Sequence, residues 1–168
     1  MDQQLQGKAY TFGLNIDTDQ IYPGRYLDLY KAEDLAKHAM EGADPTFVQR
    51  FSAGGIIVAD RNFGCGSSRE HAAITLKTVG VAAVIAESFA RIFFRNAINL
   101  GLPALECKGI SKMVKEGDEL SVNLATGEIS NLTTGRSAKA EGLNDYVLNI
   151  LNSGGIKPLF KKKYGIQE

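Results

Sequence analysis

Two short apolar runs in the middle of the chain are rich in β-branched residues, and each precedes a stretch with helical periodicity. The runs, residues 55–59 and 82–86, are continuous rather than alternating, which is typical of strands buried on both faces. After the first run, apolar residues spaced three and four apart predict a helix that ends near Val79, with Ser67 or Ser68 as its N-cap.

The second run leads into another helical pattern, which ends near Asn99. Ser88 is its expected N-cap, and Gly101 lies just beyond its end. A third short strand is expected at residues 103–106. The order strand, helix, strand, helix, strand predicts parallel strands joined by right-handed crossovers.

The last third of the chain has a different pattern. Residues 119–124 and 128–132 alternate in hydrophobicity around an Ala-Thr-Gly turn, which predicts an antiparallel hairpin. A helix is expected over residues 145–151, before a Gly-Gly pair. We therefore expect one domain, residues 1–168, with an α/β core and an attached antiparallel layer.

The first third is mostly irregular in pattern. Tyr-Thr-Phe at residues 10–12 precedes a loop dense in Asn, Asp, Gly and Pro, which indicates irregular backbone rather than a strand. A helix is expected over residues 31–40. Asp44 is the expected N-cap of a further helical turn through Phe51.

Composition narrows the functions that such a fold can have. Of 168 residues, 44% are hydrophobic and 23% are charged, and 19 basic residues balance 19 acidic ones. Because a nucleic-acid-binding protein normally needs a basic excess, this balance disfavours nucleic acid as a partner. The apolar runs are too short to span a membrane and the start lacks a secretory pattern, so we expect a cytoplasmic protein. Two cysteines are too few to hold a structural zinc ion or an iron–sulfur cluster alone.

The richest chemistry of the sequence lies in the loop after the first buried run, Asn-Phe-Gly-Cys-Gly-Ser-Ser-Arg-Glu-His at residues 62–71. Its glycines permit positive φ and a close approach of a ligand to the backbone. Two hydroxyl groups and a guanidinium stand before a helix, whose free N–H groups favour an anion. The spacing matches neither a P-loop, a dinucleotide fingerprint nor a Gly-x-Ser-x-Gly elbow. The pattern favours a site for an anion such as a carboxylate, and a glycine turn followed by N-cap serines is the alternative.

This loop and the later run Glu-Ser-Phe-Ala-Arg-Ile-Phe at residues 87–93 resemble the swivelling domain of the aconitase superfamily. In detail the chain resembles the small-subunit family of the 3-isopropylmalate dehydratases, and the likeness continues through residues 15–21, 25–27 and 95–103. The resemblance implies a β/β/α swivelling-domain fold, with a mostly parallel core sheet flanked by helices and an added antiparallel hairpin layer. It also implies a large subunit that carries a four-iron four-sulfur cluster, in agreement with the small number of thiols here.

The activity that the resemblance implies is a hydro-lyase reaction. Water leaves a 2-hydroxy dicarboxylic acid and returns with the hydroxyl on the neighbouring carbon, while the cluster iron of the large subunit acts as a Lewis acid. Ser67 matches the family's catalytic serine, which in its alkoxide form takes the proton next to a carboxylate. Arg69 would stabilise that anion and bind a substrate carboxylate, and Ser68 would add a hydrogen bond. Cys65 is expected to be a small loop residue, and this chain is expected to supply no metal ligand.

Two polar positions upstream match segments that line the active site in the family. Asp19 is a candidate substrate-binding residue, and an Asx-turn in a polar loop is its alternative interpretation. Arg25 corresponds to an arginine that binds a substrate carboxylate, although it lies closer to Asp19 here than the family's pattern has it. Of the two histidines, His71 is expected to cap or pack against the first helical turns.

Substrate choice in the family depends on the segment after Tyr26 and Leu27, which here is Asp28, Leu29 and Tyr30. Asp28 would repel a third carboxylate, which disfavours homoaconitate or citrate. Leu29 or Tyr30 would then contact the alkyl group of isopropylmalate, although Asp28 also leaves 2,3-dimethylmalate open. Two rival hypotheses for the whole chain are a carboxylate-binding module without catalysis and an autonomous serine hydrolase. The poor supply of histidine counts against the hydrolase.

Overall fold

The computed structural model, which describes residues 3–165, contains a seven-stranded sheet with helices around it. The strands are β1 Gln4–Thr11, β2 Ile56–Ala59, β3 Ala83–Ala86, β4 Ala104–Glu106, β5 Glu119–Asn123, β6 Glu128–Asn131 and β7 Ser137–Lys139. The helices are α1 Thr18–Ile21, α2 Ala32–Ala36, α3 Phe47–Arg50, α4 Glu70–Val79, α5 Arg91–Asn99, α6 Ile110–Met113, α7 Asp145–Asn152 and α8 Ile156–Tyr164, with a 3₁₀ turn at Gly24–Tyr26. The strand order is β4-β3-β2-β1-β5-β6-β7.

The first strand joins a parallel half of the sheet to an antiparallel half. Residues 4–8 pair antiparallel with β5, and residues 9–11 pair parallel with β2. β3 and β4 continue the parallel half, while β6 and β7 continue the antiparallel half. The predicted fold class is confirmed: a parallel α/β core carries an antiparallel hairpin, and the two are joined through β1.

The two predicted central strands are confirmed and lie within the core. All four residues of β2 and all four of β3 are buried, as their continuous apolar runs require. Ala72 and Leu76 of α4 and Phe93 of α5 belong to the same hydrophobic cluster. Burying a large apolar side chain of this kind contributes roughly 1.5–3 kcal/mol. This core fixes the carboxyl ends of β1 and β2, from which the loops at residues 12–17 and 60–69 emerge.

The predicted N-caps of α4 and α5 are wrong. Arg69 is the N-cap of α4, so Ser67 and Ser68 both precede the cap position. The N-cap of α5 lies two residues after Ser88. Ser88 Oγ instead accepts a hydrogen bond from the Asn62 N–H at 2.9 Å, where Asn62 has a left-handed φ of 64°. The serines therefore serve the loops before the helices rather than the helices themselves.

Three elements near the N-terminus differ from their predicted extent. β1 has eight residues and begins well before residues 10–12, because its polar first half pairs antiparallel with β5. α2 has five residues rather than the ten of 31–40, and Met40 beyond it has a left-handed φ of 57°, which is incompatible with a continuing helix. Thr46, not Asp44, is the N-cap of α3, and Asp44 accepts the Thr46 N–H at 3.0 Å.

Four further elements are absent from the predicted pattern: α1, α6, β7 and α8. α1 has a capping box within the polar loop. Asp17 Oδ1 accepts the Gln20 N–H at 2.8 Å, and Gln20 Oε1 accepts the Asp17 N–H at 2.9 Å. The predicted hairpin is confirmed as β5 and β6, and the predicted late helix is confirmed as α7.

Candidate active site

The backbone of the loop at residues 62–69 is held on two sides. Gly64 donates its N–H to the Ile16 carbonyl at 2.7 Å, and Phe63 forms an isolated parallel bridge with Phe89. Gly64 has a φ of 84°, and a Cβ placed on it would lie 2.3 Å from the Phe93 side chain. Glycine is therefore required where the loop passes over α5.

Helix α1 brings a second hydroxyl group to this loop. Thr18 donates its N–H to the Cys65 carbonyl at 2.7 Å, and its Oγ1 lies 3.2 Å from Ser67 Oγ. Thr18 is buried, whereas Ser67 and Ser68 are exposed. Sequence reasoning missed Thr18, although it directly precedes the candidate Asp19. The buried threonine therefore contacts the hydroxyl of a serine that remains exposed to solvent.

Arg69 and Asp19 form an ion pair beside the loop. Arg69 Nη1 donates to Asp19 Oδ1 at 3.4 Å, and the Gly24 N–H donates to the same oxygen at 2.7 Å. The Arg69 side chain is 28% exposed and that of Asp19 is 66% exposed. Because the carboxylate binds an amide five residues ahead rather than two, the Asx-turn alternative for Asp19 is wrong. Asp19 instead helps to position the Arg69 guanidinium.

Groups of both positive and negative charge lie near Ser67. Within the described chain, the N-cap side chain of α4 forms no capping hydrogen bond, so first-turn N–H groups of this ten-residue helix remain available to an anion. The Arg69 guanidinium adds positive charge, and Asp17, which forms an isolated parallel bridge with Cys65, adds negative charge. Burial, and secondarily Asp17, raises the pKa of the Cys65 thiol. Cys65 lies in the glycine loop between Gly64 and Gly66, where the prediction placed a small loop residue.

Arg25 is engaged by Glu41 rather than by the Ser67 loop. Its Nη2 lies 3.2 Å from Glu41 Oε1, and its guanidinium lies 4.8 Å from the centroid of the Tyr26 ring. The Arg25 side chain is 65% exposed, so the remaining N–H groups face the surface. The candidates that follow are at the surface or only partly covered: Asp28, Leu29 and Tyr30.

The donor set of this chain does not fit an iron–sulfur cluster. Among residues 3–165, no group of three or more His, Cys, Asp or Glu side chains is placed to hold a metal ion. Cys107 is buried at the end of β4, and Cys65 lies in the glycine loop. A cluster bound by three cysteines therefore requires another chain.

The two histidines are both committed to aromatic contacts. His71 stacks on Tyr22 with ring centroids 5.5 Å apart, which confirms its predicted packing role. His38 stacks on Tyr26 with centroids 3.6 Å apart. Neither forms a hydrogen bond with Ser67 within the described residues, so the serine hydrolase hypothesis lacks a histidine base.

The surface around Ser67 is open. Four cavities of about 200–360 Å³ are lined mainly by residues of α4, α5, α7, α8 and the end of β4. As far as the described residues define them, none of these four includes Ser67 or Arg69. Every described helix is too short or too polar to cross a membrane. Ser67 is therefore in contact with solvent in this chain alone.

Comparison with known proteins gives consistent matches. The Aconitase C-terminal domain family matches residues 13–109. An isopropylmalate/citramalate isomerase small subunit from Methanocaldococcus jannaschii is 58% identical, with 95% of each chain covered. A 3-isopropylmalate dehydratase small subunit from Methanopyrus kandleri is 52% identical, with 97% of this chain and 96% of that protein covered.

A solved structure matches over nearly the full length. It is a crystal structure of 3-isopropylmalate dehydratase from Methanocaldococcus jannaschii, with a TM-score of 0.92 and 42% identity. The match covers 98% of this chain and 97% of the other. The resemblance predicted from the loop at residues 62–71 is confirmed: the chain belongs to the aconitase C-terminal domain family, among the small subunits of the 3-isopropylmalate dehydratase type.

Proposed function

We propose that this chain is the small subunit of a 3-isopropylmalate dehydratase, which interconverts 2-isopropylmalate and 3-isopropylmalate in leucine biosynthesis. The observation that carries the proposal is the exposed Ser67, bonded to a buried threonine and adjacent to Arg69, in a chain that matches known small subunits from end to end. The chain is a hydro-lyase subunit in the cytoplasm, active only with a large subunit. That partner holds the four-iron four-sulfur cluster, for which this chain lacks the ligands among its described residues.

Ser67 acts as the base of the reaction. Its alkoxide takes a proton from the carbon next to a substrate carboxylate, and the electron pair of that C–H bond forms a double bond as the neighbouring hydroxyl departs as hydroxide. To complete the isomerisation, hydroxide adds to the carbon that lost the proton, and the Ser67 hydroxyl gives its proton to the carbon that lost the hydroxyl. A serine hydroxyl is a weak acid, so its anion must be strongly stabilised.

Three features of this chain support that anion. When Ser67 has lost its proton it can only accept, so the Thr18 hydroxyl 3.2 Å away must donate to it. The N-terminus of α4 contributes its free N–H groups and the positive end of its dipole. The Arg69 guanidinium adds a full charge, which gains strength once a partner excludes water.

Arg69 and Ser68 bind a carboxylate of the substrate. A guanidinium can donate two parallel N–H bonds to a carboxylate, and only one of the Arg69 nitrogens is engaged by Asp19. Asp19 therefore acts by orienting Arg69 as well as by lining the site. Ser68 is exposed beside it and adds a hydroxyl or N–H donor.

The segment after Tyr26 selects the substrate. Asp28 forms no hydrogen bond within the described residues and stays at the surface, where it repels a third carboxylate. Leu29 and Tyr30 supply the apolar contact for an isopropyl group, and Tyr30 is 84% exposed before a partner docks. Arg25 offers its outward N–H groups to the second carboxylate. A 2,3-dimethylmalate is the alternative substrate compatible with these side chains.

The test is anaerobic reconstitution. This chain is purified with and without the large subunit encoded in the same genome, and hydration and dehydration are assayed with isopropylmalate, citramalate, 2,3-dimethylmalate and homoaconitate. We expect turnover only from the pair, with isopropylmalate preferred. Turnover by the isolated chain contradicts the proposal that this chain is active only with a large subunit. If the pair is inactive and this chain binds a malate without the large subunit, the result instead supports a carboxylate-binding module without catalysis.

A further inference from the structure

One carboxylate, Glu41, collects three hydrogen bonds close to the proposed site. It accepts from Arg25 Nη2 at 3.2 Å and from the Tyr26 hydroxyl at 3.0 Å on Oε1, and from His38 Nδ1 at 2.6 Å on Oε2. Burial raises the pKa of Glu41, but the hydrogen bonds from His38 and Tyr26 outweigh it and leave this pKa below its ordinary value. Glu41 is therefore an ionised acceptor at neutral pH.

The donors of this cluster are also packed on one another. The Tyr26 ring stacks on His38 at a centroid distance of 3.6 Å, and the Arg25 guanidinium lies 4.8 Å from the centroid of the same ring. Arg25 and Tyr26 therefore each contact the cluster in two ways, by a hydrogen bond and by a ring contact. Removal of the Glu41 carboxylate would leave the Tyr26 hydroxyl and the Arg25 guanidinium without their acceptor.

The cluster around Glu41 is connected through Tyr22 to α4, the helix that follows the loop at residues 62–69. The Tyr22 hydroxyl donates to the Tyr26 carbonyl at 2.6 Å, and the Tyr22 ring stacks on His71 of α4. Burial, and secondarily the Asp28 carboxylate, raises the pKa of Tyr22 and keeps this donor protonated. His71 lies two residues after Arg69 in the sequence. The segment at residues 22–26 is thus tied to the helix that carries the proposed carboxylate-binding arginine.

Residues 27–30, which select the substrate in the proposed function, form few hydrogen bonds of their own among the described residues. The Leu27 N–H bonds to the Gly24 carbonyl at 3.2 Å, and the Leu29 N–H bonds to the Tyr26 carbonyl at 3.1 Å. The second bond starts from Tyr26, which Glu41 binds, and the first starts from Gly24, which directly precedes Arg25 and donates its own N–H to Asp19. The position of residues 27–30 therefore depends on where Tyr26 and its neighbours are fixed.

We infer that Glu41 is a positioning residue for substrate binding: it fixes Arg25 and Tyr26, and through them the substrate-selecting segment at residues 27–30. This role rests on the proposed function of that segment. Glu41 orients one edge of the Arg25 guanidinium and leaves the opposite edge for the substrate carboxylate. It does not touch the reacting atoms, so it governs affinity and discrimination rather than the proton transfer at Ser67.

The test compares Glu41→Ala, Glu41→Gln and the control Asp44→Asn in the reconstituted pair. Asp44 is a matched carboxylate, since it also binds an arginine and its side chain is 23% exposed against 24% for Glu41. We expect Glu41→Ala to raise KM for isopropylmalate about tenfold, which corresponds to about 1.4 kcal/mol, and to leave kcat within about twofold. Glu41→Gln keeps an acceptor oxygen and should lie between the two, while Asp44→Asn should match the parent.

A second readout does not depend on activity. In the isolated chain, hydrogen exchange of the Leu27 and Leu29 amides should be about tenfold faster in Glu41→Ala, with the β2 amides unchanged. An unchanged KM together with unchanged exchange, or an equal effect of Asp44→Asn, overturns the inference. If the parent pair turns over no malate, the proposed function fails, and the exchange measurement still decides whether Glu41 anchors the segment.

Discussion

The two segments that form the proposed site are held in opposite ways. The loop at residues 62–69 is fixed by main-chain contacts: Gly64 bonds to the Ile16 carbonyl, Phe63 bridges to Phe89, and Thr18 bonds to the Cys65 carbonyl. Among the described residues, the main-chain hydrogen bonds of the segment at residues 25–30 stay within residues 23–29, and side chains link it to other parts of the chain, chiefly at Glu41 and through the Tyr22 hydroxyl. The first segment is held by its backbone, and the second mainly by side chains.

This difference matches the roles proposed for the two segments. Proton transfer from carbon requires a base held within a fraction of an ångström, and loops anchored to a sheet by their backbone provide that. Substrate selection requires side chains that can differ from one enzyme to another, and a segment held by side chains can be replaced without disturbing the sheet. We therefore expect substitutions in the loop to affect turnover and folding, and substitutions in the segment to affect affinity.

The largest effect is expected at Ser67. In the reconstituted pair, Ser67→Ala removes the base and should lower kcat by about 10³-fold or more, within the range of general-base loss. Assembly with the large subunit, measured by size-exclusion chromatography, should be unchanged because Ser67 is exposed. Ser68→Ala is the matched control and should cost much less in kcat. Equal losses for the two serines would contradict the assignment of the base.

The next largest effect tests the backbone anchoring of the loop. Gly64→Ala places a Cβ 2.3 Å from the Phe93 side chain at a φ of 84°, and should destabilise the isolated chain by about 3 kcal/mol or more. Thermal unfolding should show a fall in Tm of roughly 6–12 °C.

Gly135→Ala separates the two causes of that loss of stability, which are backbone strain and the clash with Phe93. Gly135 has a similar φ of 78°, but a Cβ there has open space around it. It should cost only about 1 kcal/mol, from backbone strain alone. If both variants unfold at the same temperature, the contact between the loop and α5 contributes nothing to stability.

A smaller effect is expected for the arginine beside the base. Arg69→Lys keeps the charge but loses the two parallel N–H bonds to a carboxylate, and should lower kcat/KM by about 10–100-fold. Steady-state kinetics with isopropylmalate measures this. Arg50→Lys is the control at another arginine–carboxylate pair, away from the proposed site, and should leave kcat/KM unchanged. A parental rate for Arg69→Lys would show that only the charge is used.

The smallest effect is expected in the substrate-selecting segment. Asp28→Asn removes a negative charge at an exposed position and should raise the kcat/KM ratio of homoaconitate to isopropylmalate by about three- to tenfold. The free energy of unfolding should stay the same, because Asp28 has no hydrogen bond among the described residues. The ratio is best measured at low and high salt, since screening should shrink the difference. A ratio that does not move would exclude Asp28 from substrate choice.

The parallel core and the hairpin could be predicted because their signals are local. β2 and β3 are continuous apolar runs, and β5 and β6 alternate around a short turn. The extent of β1 could not be predicted, because its exposed first half pairs with β5, more than a hundred residues later in the chain. α1 has a capping box, but its signal lies inside a polar segment that also fits an irregular loop.

The candidate site could be predicted only where its residues stand together in one sequence motif. Ser67, Ser68 and Arg69 stand together in a run with a family resemblance, so they could be named from the sequence. Thr18 could not, because its hydrogen bond to Ser67 spans 49 positions. Glu41 lies 16 positions from Arg25, in a stretch whose pattern predicts only a helix ending. Contacts between loops of this kind depend on the folded backbone.

A competition experiment tests the central claim most directly. Parent chain and Ser67→Ala chain are mixed in varying proportion, with their total fixed and in excess over a limiting amount of large subunit. If this chain docks on the large subunit and supplies the base, the Ser67→Ala chain occupies large subunits without restoring catalysis. Activity should then fall in proportion to the fraction of Ser67→Ala chain, even in mixtures that contain enough parent chain to saturate the large subunit by itself. Activity that stays constant across the mixtures would contradict the account, since the variant would then either fail to occupy the partner or catalyse without Ser67.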